Sequence, residues 1–114
     1  MRSKISDKAR LGHIIDAIEL IEKAMTDKTK VDYDADFILQ AALQRFVQII
    51  GEAAYKLSEE LKMKNVDVDW KAIAGIRHIM VHEYFGIDME RIWEVIEYDV
   101  PKLKLSIVQV YNEL

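Results

Sequence analysis

The chain has 114 residues, with 16 Lys and Arg against 20 Asp and Glu for a net charge of −4, and 51% of it is hydrophobic. Such a chain is expected to fold as one domain, residues 1–114, with a core that needs neither disulfide nor structural metal. Four glycines, one proline and no cysteine leave few turns for a small sandwich or barrel and exclude Cys-based zinc sites and thiol nucleophiles. An all-α fold is expected, and the acidic balance argues against a general basic nucleic-acid binder while leaving room for a small cationic site.

The first apolar stripe, Leu11, Ile14, Ile15, Ile18, Ile21 and Met25, steps by three and four and predicts an amphipathic helix over about 8–26. Asp27 to Asp34 has no such period and is rich in turn-forming polar residues, so it reads as a loop. From a capping aspartate, Asp34 or Asp36, a second stripe continues through Leu39, Leu43, Phe46, Ile50, Ala53, Leu57 and Leu61, about seven turns of uninterrupted helix. The Lys56 to Lys64 stretch at its end alternates Lys and Glu as a solvated face does. Asp69 is placed to cap a third helix that starts at Trp70 and runs into the Phe85-Gly86-Ile87-Asp88 break. Asp88 caps the fourth, where Met89, Trp93, Ile96, Val100, Leu103, Ile107, Val110 and Leu114 form a heptad-type seam, read first as intramolecular core and second as a dimer interface. Pro101 lies inside the seam and is expected to kink or split the helix near Asp99, because it lacks a backbone donor and its ring crowds the preceding turn. The expected architecture is an antiparallel bundle of four to five helices.

The third helix carries the unusual chemistry. Wound at about 100° per residue from Trp70, it places Ile73, Ala74, Met80, Val81 and Tyr84 within about 80° of Trp70, and this stripe is expected to face the core. Arg77 falls inside it. Ile76 and Ile79 extend the apolar surface toward the back, so the helix is expected to be buried on most sides. Lys71, Gly75, His78 and His82 form the polar strip, where the glycine lets a backbone or a ligand come close. An unpaired interior guanidinium costs on the order of several kcal/mol, so Arg77 needs Glu52 or another acid of the second helix, or a wet cleft that admits an anion.

Arg77, His78, His82 and Tyr84 lie within eight residues and together offer a fixed cation for phosphate, imidazoles able to move protons near neutral pH, and a phenol. His78 and His82 have the i, i+4 spacing of a metal clamp, but Ile79 stands where a zincin carries its glutamate, and neither a metal nor another cofactor is expected. Gly51, Gly75 and Gly86 are isolated, so no glycine-rich phosphate loop is present, and Ser58 and Ser106 sit in no nucleophile elbow.

The segment Arg77-His78-Ile79-Met80-Val81-His82-Glu83-Tyr84-Phe85 reads Arg-x4-His-x-Tyr and resembles the signature of HepT-type toxins in the HEPN superfamily. Ile49-Ile50-Gly51-Glu52-Ala53-Ala54, Trp70-Lys71-Ala72-Ile73-Ala74-Gly75-Ile76, Tyr84-Phe85-Gly86-Ile87-Asp88 with Trp93, and Leu11 to Ile18 extend the likeness over nearly the whole chain. Glu83 stands where the family more often has aspartate and keeps its charge. The resemblance implies a HEPN-like helical bundle and a metal-independent endoribonuclease, the toxin of a toxin–antitoxin pair, whose homodimer gathers Arg and His at a shared cleft. Carried over, it makes Arg77 and His82 the catalytic pair, His78 an accessory polar residue and Tyr84 the motif tyrosine; Glu52, the acid expected opposite Arg77, is accessory with His78. It also implies a minimal nucleotidyltransferase antitoxin as partner, which transfers AMP to the tyrosine.

The implied chemistry suits these residues. RNA carries its own nucleophile in the 2′-hydroxyl, so an enzyme needs only to move protons and stabilise charge on the phosphoryl oxygens. Arg77 and His82 lie about 140° apart on an ideal helix, and a two-fold axis near the third helix would bring a second pair to the cleft. Tyr84, about 10 Å along the axis from Arg77 if the helix persists, would lay the bulk and charge of an adenylyl group across it. An alternative is a non-catalytic helical subunit that binds nucleotide or substrate for a separate nucleotidyltransferase. A purely structural protein would instead show an internally salt-bridged Arg77 and no cleft. The start, Met1 to Asp7, has no apolar run after its charges and no later run approaches a membrane span, so a cytoplasmic location and no membrane partner are expected.

Overall fold

The computed structural model describes residues 6–82 and 88–114, with the backbone alone for residues 80–82. Helix α1 (Asp7–Ala24) opens on Ser6, whose hydroxyl accepts from the Ala9 N–H at 3.1 Å, and it buries Leu11, Ile14, Ala17, Ile18 and Ile21. The expected loop that follows contains a helix, α2 (Lys30–Ala35). Thr29 and Asp32 form a capping box, each side chain accepting from the other's backbone N–H, and this local satisfaction of end donors sustains a helix too short to show an apolar period. Tyr33 of α2 is fully buried, donates to the Met89 carbonyl at 2.8 Å and packs against Trp93 with ring centroids 5.1 Å apart.

Helix α3 (Phe37–Tyr55) is capped by Asp36, which accepts from the N–H groups of Ile38 and Leu39. It stops well short of Leu61. Ser58 caps a separate helix, α4 (Glu59–Lys64), accepting from the Leu61 N–H at 3.1 Å, while Asp7 takes the Ser58 N–H at 3.0 Å. A serine whose side chain claims a helix-start donor favours a new cap over continued helix. Leu57 and Leu61 remain buried across the break, which is why their period reads as unbroken. The Asp7–Ser58 bond also sets α1 antiparallel to α3.

Helix α5 (Trp70–His82) starts as expected from Asp69, which accepts from the Ala72 N–H at 3.1 Å, and the Trp70 indole donates to the Asn65 carbonyl at 3.0 Å. Asp88 caps α6 (Met89–Glu94), accepting from the Glu90 N–H at 2.9 Å. One π-helical turn, Val95–Asp99, then leads into α7 (Val100–Asn112), with Pro101 in its first turn. This is the split expected near Asp99. The Val100 N–H reaches back to the Val95 carbonyl, a wider turn that accommodates the proline ring and adds one residue to the spiral. Upstream of the turn burial extends to Ile92 and Val95 while Met89 and Trp93 are only partly buried, and the expected seam holds at Ile96, Val100, Leu103, Ile107 and Val110, with Leu114 at its end exposed. These five pack within the chain, as core.

The protein is an all-α bundle in which α3 lies between α1 and α5, and α7 closes against α1. The Lys104–Glu22 ion pair at 2.9 Å and the Lys8 ammonium over the Tyr111 ring run α7 antiparallel to α1. Ile73 and Ile76 of α5 line a small cavity with Leu103 of α7, so α5 packs chiefly on α3 and leaves a gap toward α7. Among the described residues, no helix is long and apolar enough to cross a membrane.

Candidate active site

Arg77 is positioned by a close crossing of two helices. At Gly51 of α3 a Cβ would lie 3.2 Å from both the backbone N and the Cα of Arg77 and 3.3 Å from Ile76 Cγ2, so only a glycine lets α5 settle at this depth. The crossing carries the Arg77 side chain onto the flank of α3, where Tyr55 and Glu52 receive it. Its guanidinium carbon stacks 3.7 Å from the Tyr55 ring centroid, and its Nε lies 3.5 Å from Glu52 Oε1. Glu52 and Tyr55 are three residues apart and share a helix face.

The pairing with Glu52 is the one expected, but it is loose. Arg77 Nε is buried and makes no hydrogen bond. With the two side chains 29% and 39% exposed, such an ion pair contributes about 0–1 kcal/mol, and stacking on an exposed tyrosine about 0.5–1 kcal/mol more. A guanidinium has five donors in a rigid fork; here the fork is held in orientation by the ring beneath it, and its buried donor has no acceptor.

The face of α5 that enters the core differs from the expected one. Ile73, Ile76 and Ile79 are buried, whereas Ala74, placed in the core stripe by its angle from Trp70, is exposed, and Trp70 is only partly covered. Three isoleucines bury far more apolar area than a stripe containing Ala74, so the helix turns to put them inward. Arg77 thereby moves to the edge of the packed face, half-buried. Burial is one-sided: Lys71, Ala72, Ala74 and His78 are all exposed. Gly75 is partly exposed and a Cβ there would meet nothing within 4 Å, so within the chain the close approach expected at Gly75 occurs at Gly51.

The sequence-derived site residues are thus placed unequally. Arg77 and Glu52 come together; His78 stands one residue along, on the outer face of α5. His82 closes α5, but its side chain lies outside the described residues, as do Tyr84 and the side chains of Met80 and Val81 that were expected in the core stripe. Tyr55 was not anticipated. Its signal was its place one helical turn from Glu52, which binds it to whatever Glu52 pairs with. Also unanticipated is a groove beside the pair, walled by Arg10 and His13 of α1 and by Arg45, Glu52 and Lys56 of α3.

An all-α bundle with an arginine set at a glycine crossing, one turn and a half before a histidine at the end of the same helix, defines a class that comparison with known proteins makes specific. A model of the family described as ribonuclease HepT-like matches residues 14–110, and the chain belongs to that family. A relative from Methanocaldococcus jannaschii, named as a gamma-glutamylcyclotransferase and candidate RNase, is 42% identical over 107 residues, covering 94% of this chain and 48% of its own length. The chain therefore spans about half of that relative. A Caldanaerobacter subterraneus protein named as a candidate RNase is 35% identical across 90% of this chain and 92% of its own, and a Thermococcus cleftensis protein named "probable ribonuclease HepT" is 35% identical across 89% and 92%. No solved structure gives a significant match.

Proposed function

We propose that this protein is a metal-independent endoribonuclease whose catalytic pair is Arg77 and His82, working at a cleft between two copies of the chain. The observation that carries the reading is the state of Arg77: among the described residues its Nε has no hydrogen-bond acceptor, and the acid it pairs with, Glu52, is 3.5 Å away. Because the side chain is still 29% exposed and loosely held, the fork is free to turn to a phosphodiester oxygen, a better-placed acceptor than Glu52. Family membership and the RNase names of the relatives support the same substrate class.

In this mechanism the 2′-hydroxyl of the substrate attacks the adjacent phosphorus and the 5′-oxygen of the next nucleotide leaves. His82 moves the proton at one of these oxygens, and the Arg77 fork stabilises the charge gathering on the phosphoryl oxygens. Tyr55 holds the guanidinium plane, and Glu52 keeps it charge-balanced until RNA arrives. The uncovered face of α5, with Lys71, Ala74, Gly75 and His78, is where a second copy would pack, with His78 as an accessory polar group beside the cleft.

The protein is further read as the toxin of a pair whose antitoxin is a minimal nucleotidyltransferase. Tyr84 Oη would attack the α-phosphorus of ATP and release pyrophosphate, leaving an adenylyl group that blocks the cleft and neutralises Arg77. The test is digestion of RNA by purified protein in EDTA. Cleavage is expected for wild type and none for Arg77→Ala or His82→Ala; nucleotide binding with no cleavage by the wild type would instead support a non-catalytic subunit. Intact mass after co-expression with a minimal nucleotidyltransferase reports on Tyr84, and an unmodified, inactive complex would reject its role.

A further inference from the structure

We propose that the groove between α1 and α3, walled by Arg10, His13, Arg45 and Lys56, binds the phosphodiester backbone of single-stranded RNA flanking the bond cut at Arg77. The inference rests on the ribonuclease reading above and names the path its substrate takes.

Charge distribution singles out this groove. The chain is acidic, at −4 overall, and on the described surface Lys30, Lys62, Lys64, Arg91 and Lys104 each lie within 4 Å of a carboxylate. Lys23, Lys28, Lys71 and Lys102 form no ion pair among the described residues, but each lines a hollow that also holds two or more acids; Arg10, Arg45 and Lys56, likewise outside any ion pair among the described residues, converge with His13 where Glu52 alone is acidic. Among the described residues the sole polar partner of Arg45 is the neutral amide oxygen of Gln48 at 3.4 Å. Glu52 is the one acid in the groove wall, and it is engaged by Arg77. Asp7, near the Lys56 end, accepts from both the N–H and the hydroxyl of Ser58.

Shape agrees with charge. Arg45, Ile49, Glu52 and Lys56 step by four, three and four along α3, and Arg10 and His13 by three along α1, so the antiparallel pair presents two cationic rims above a floor of Ile49 and Ala53. Arg45 and Lys56 are about 16 Å apart along the helix axis, room for a few successive phosphates. An apolar floor between basic rims suits a single strand, whose phosphates follow the rims while bases or riboses lie on the floor. Continuity decides between RNA and an acidic protein segment as occupant: Glu52 is both the groove's wall and Arg77's partner, so a strand along the groove arrives at Arg77 already in register for cleavage.

The test uses a single-stranded 2′-O-methyl oligoribonucleotide, which has no free nucleophile, with binding read by fluorescence anisotropy across a salt series. Removing three phosphate contacts with Arg10→Gln, Arg45→Gln and Lys56→Gln together is expected to lower the slope of log affinity against log salt by about 2, at about 0.7 per contact on a single strand. Affinity at low salt should fall at least about tenfold, and KM for cleavage of the unmodified strand should rise in proportion. Lys28→Gln and Lys102→Gln, remote from the groove, are expected to keep the wild-type slope, and an unchanged melting temperature in the triple variant shows that it is folded. A folded triple variant with wild-type affinity and slope overturns the groove alone. Polyglutamate competing as well as RNA assigns the groove to an acidic protein and also overturns the proposal. Wild-type protein that neither binds nor cuts RNA overturns the ribonuclease reading and the groove with it.

Discussion

The two faces of α5 differ in their residues and in their work. The inner face turns Ile73, Ile76 and Ile79 toward α3; the outer face presents Lys71, Ala74 and His78 to solvent. Each has a glycine beside it. Gly51 of α3 lets the inner face approach until a Cβ would press on the Arg77 backbone at 3.2 Å, whereas Gly75 on α5 itself has nothing within 4 Å. The inner face fixes where Arg77 sits, and among the described residues the outer one is exposed. Placement and recognition are therefore separable, and substitutions should divide accordingly.

The largest separation is expected at Arg77. Arg77→Ala removes half-buried charge and only loosely held contacts, so stability should change by no more than about 2 kcal/mol, while RNA cleavage should fall by about 10²–10³-fold or more, as for loss of a transition-state anion donor. Equal losses of stability and activity, read by denaturant titration beside turnover, would show that Arg77 is structural. Ile76→Ala on the inner face should do the reverse, costing about 2–4 kcal/mol through a cavity facing α3 and α7, with the activity of the remaining folded protein close to wild type.

A smaller effect tests the anchor beyond the α5–α6 connection. Burial raises the Tyr33 phenol from 10.0 to about 12, so folding favours the neutral form. Its stabilisation is complete below pH 10 and is lost as pH rises toward 12, by at most about 2–3 kcal/mol. Tyr33→Phe should flatten this alkaline decline and cost about 1 kcal/mol at neutral pH through the lost bond to the Met89 carbonyl. A decline equally steep in both proteins would clear Tyr33 of the effect.

The two glycines give the smallest and most direct contrast. Gly51→Ala gains about 1 kcal/mol of helix propensity but must displace the Arg77 backbone, with a net loss of about 1–2 kcal/mol. Gly75→Ala meets nothing and should stabilise the single chain by about 0.5–1 kcal/mol. If the outer face packs on a second copy, the same substitution should weaken the dimer, which sedimentation would detect.

Helix existence and helix starts were largely legible in the residues. Asp36, Asp69 and Asp88 each accept from a backbone donor in the first turn, and a cap needs only its near neighbours to act; Ser6 does the same for α1 without having been singled out. Local chemistry also wrote the break at Ser58 and the short helix at Thr29 to Asp32, but in each case an apolar or polar pattern spoke louder than the cap. Pro101 announced a discontinuity; that it would be a π turn, moving burial from Met89 and Trp93 to Ile92 and Val95, depended on how α6 and α7 share one core.

By itself the sequence determined an all-helical chain, the capping aspartates Asp69 and Asp88, and an Arg-x4-His-x-Tyr segment that resembles the family signature. The azimuth of α5, the stacking of Arg77 on Tyr55 above Glu52, and the cationic groove across α1 and α3 were decided by tertiary structure. Periodicity reports which residues share a face, because that follows from the geometry of one helix. It does not report which face turns inward when apolar residues surround most of the helix, since that depends on the area buried against neighbours, here three isoleucines turned toward α3.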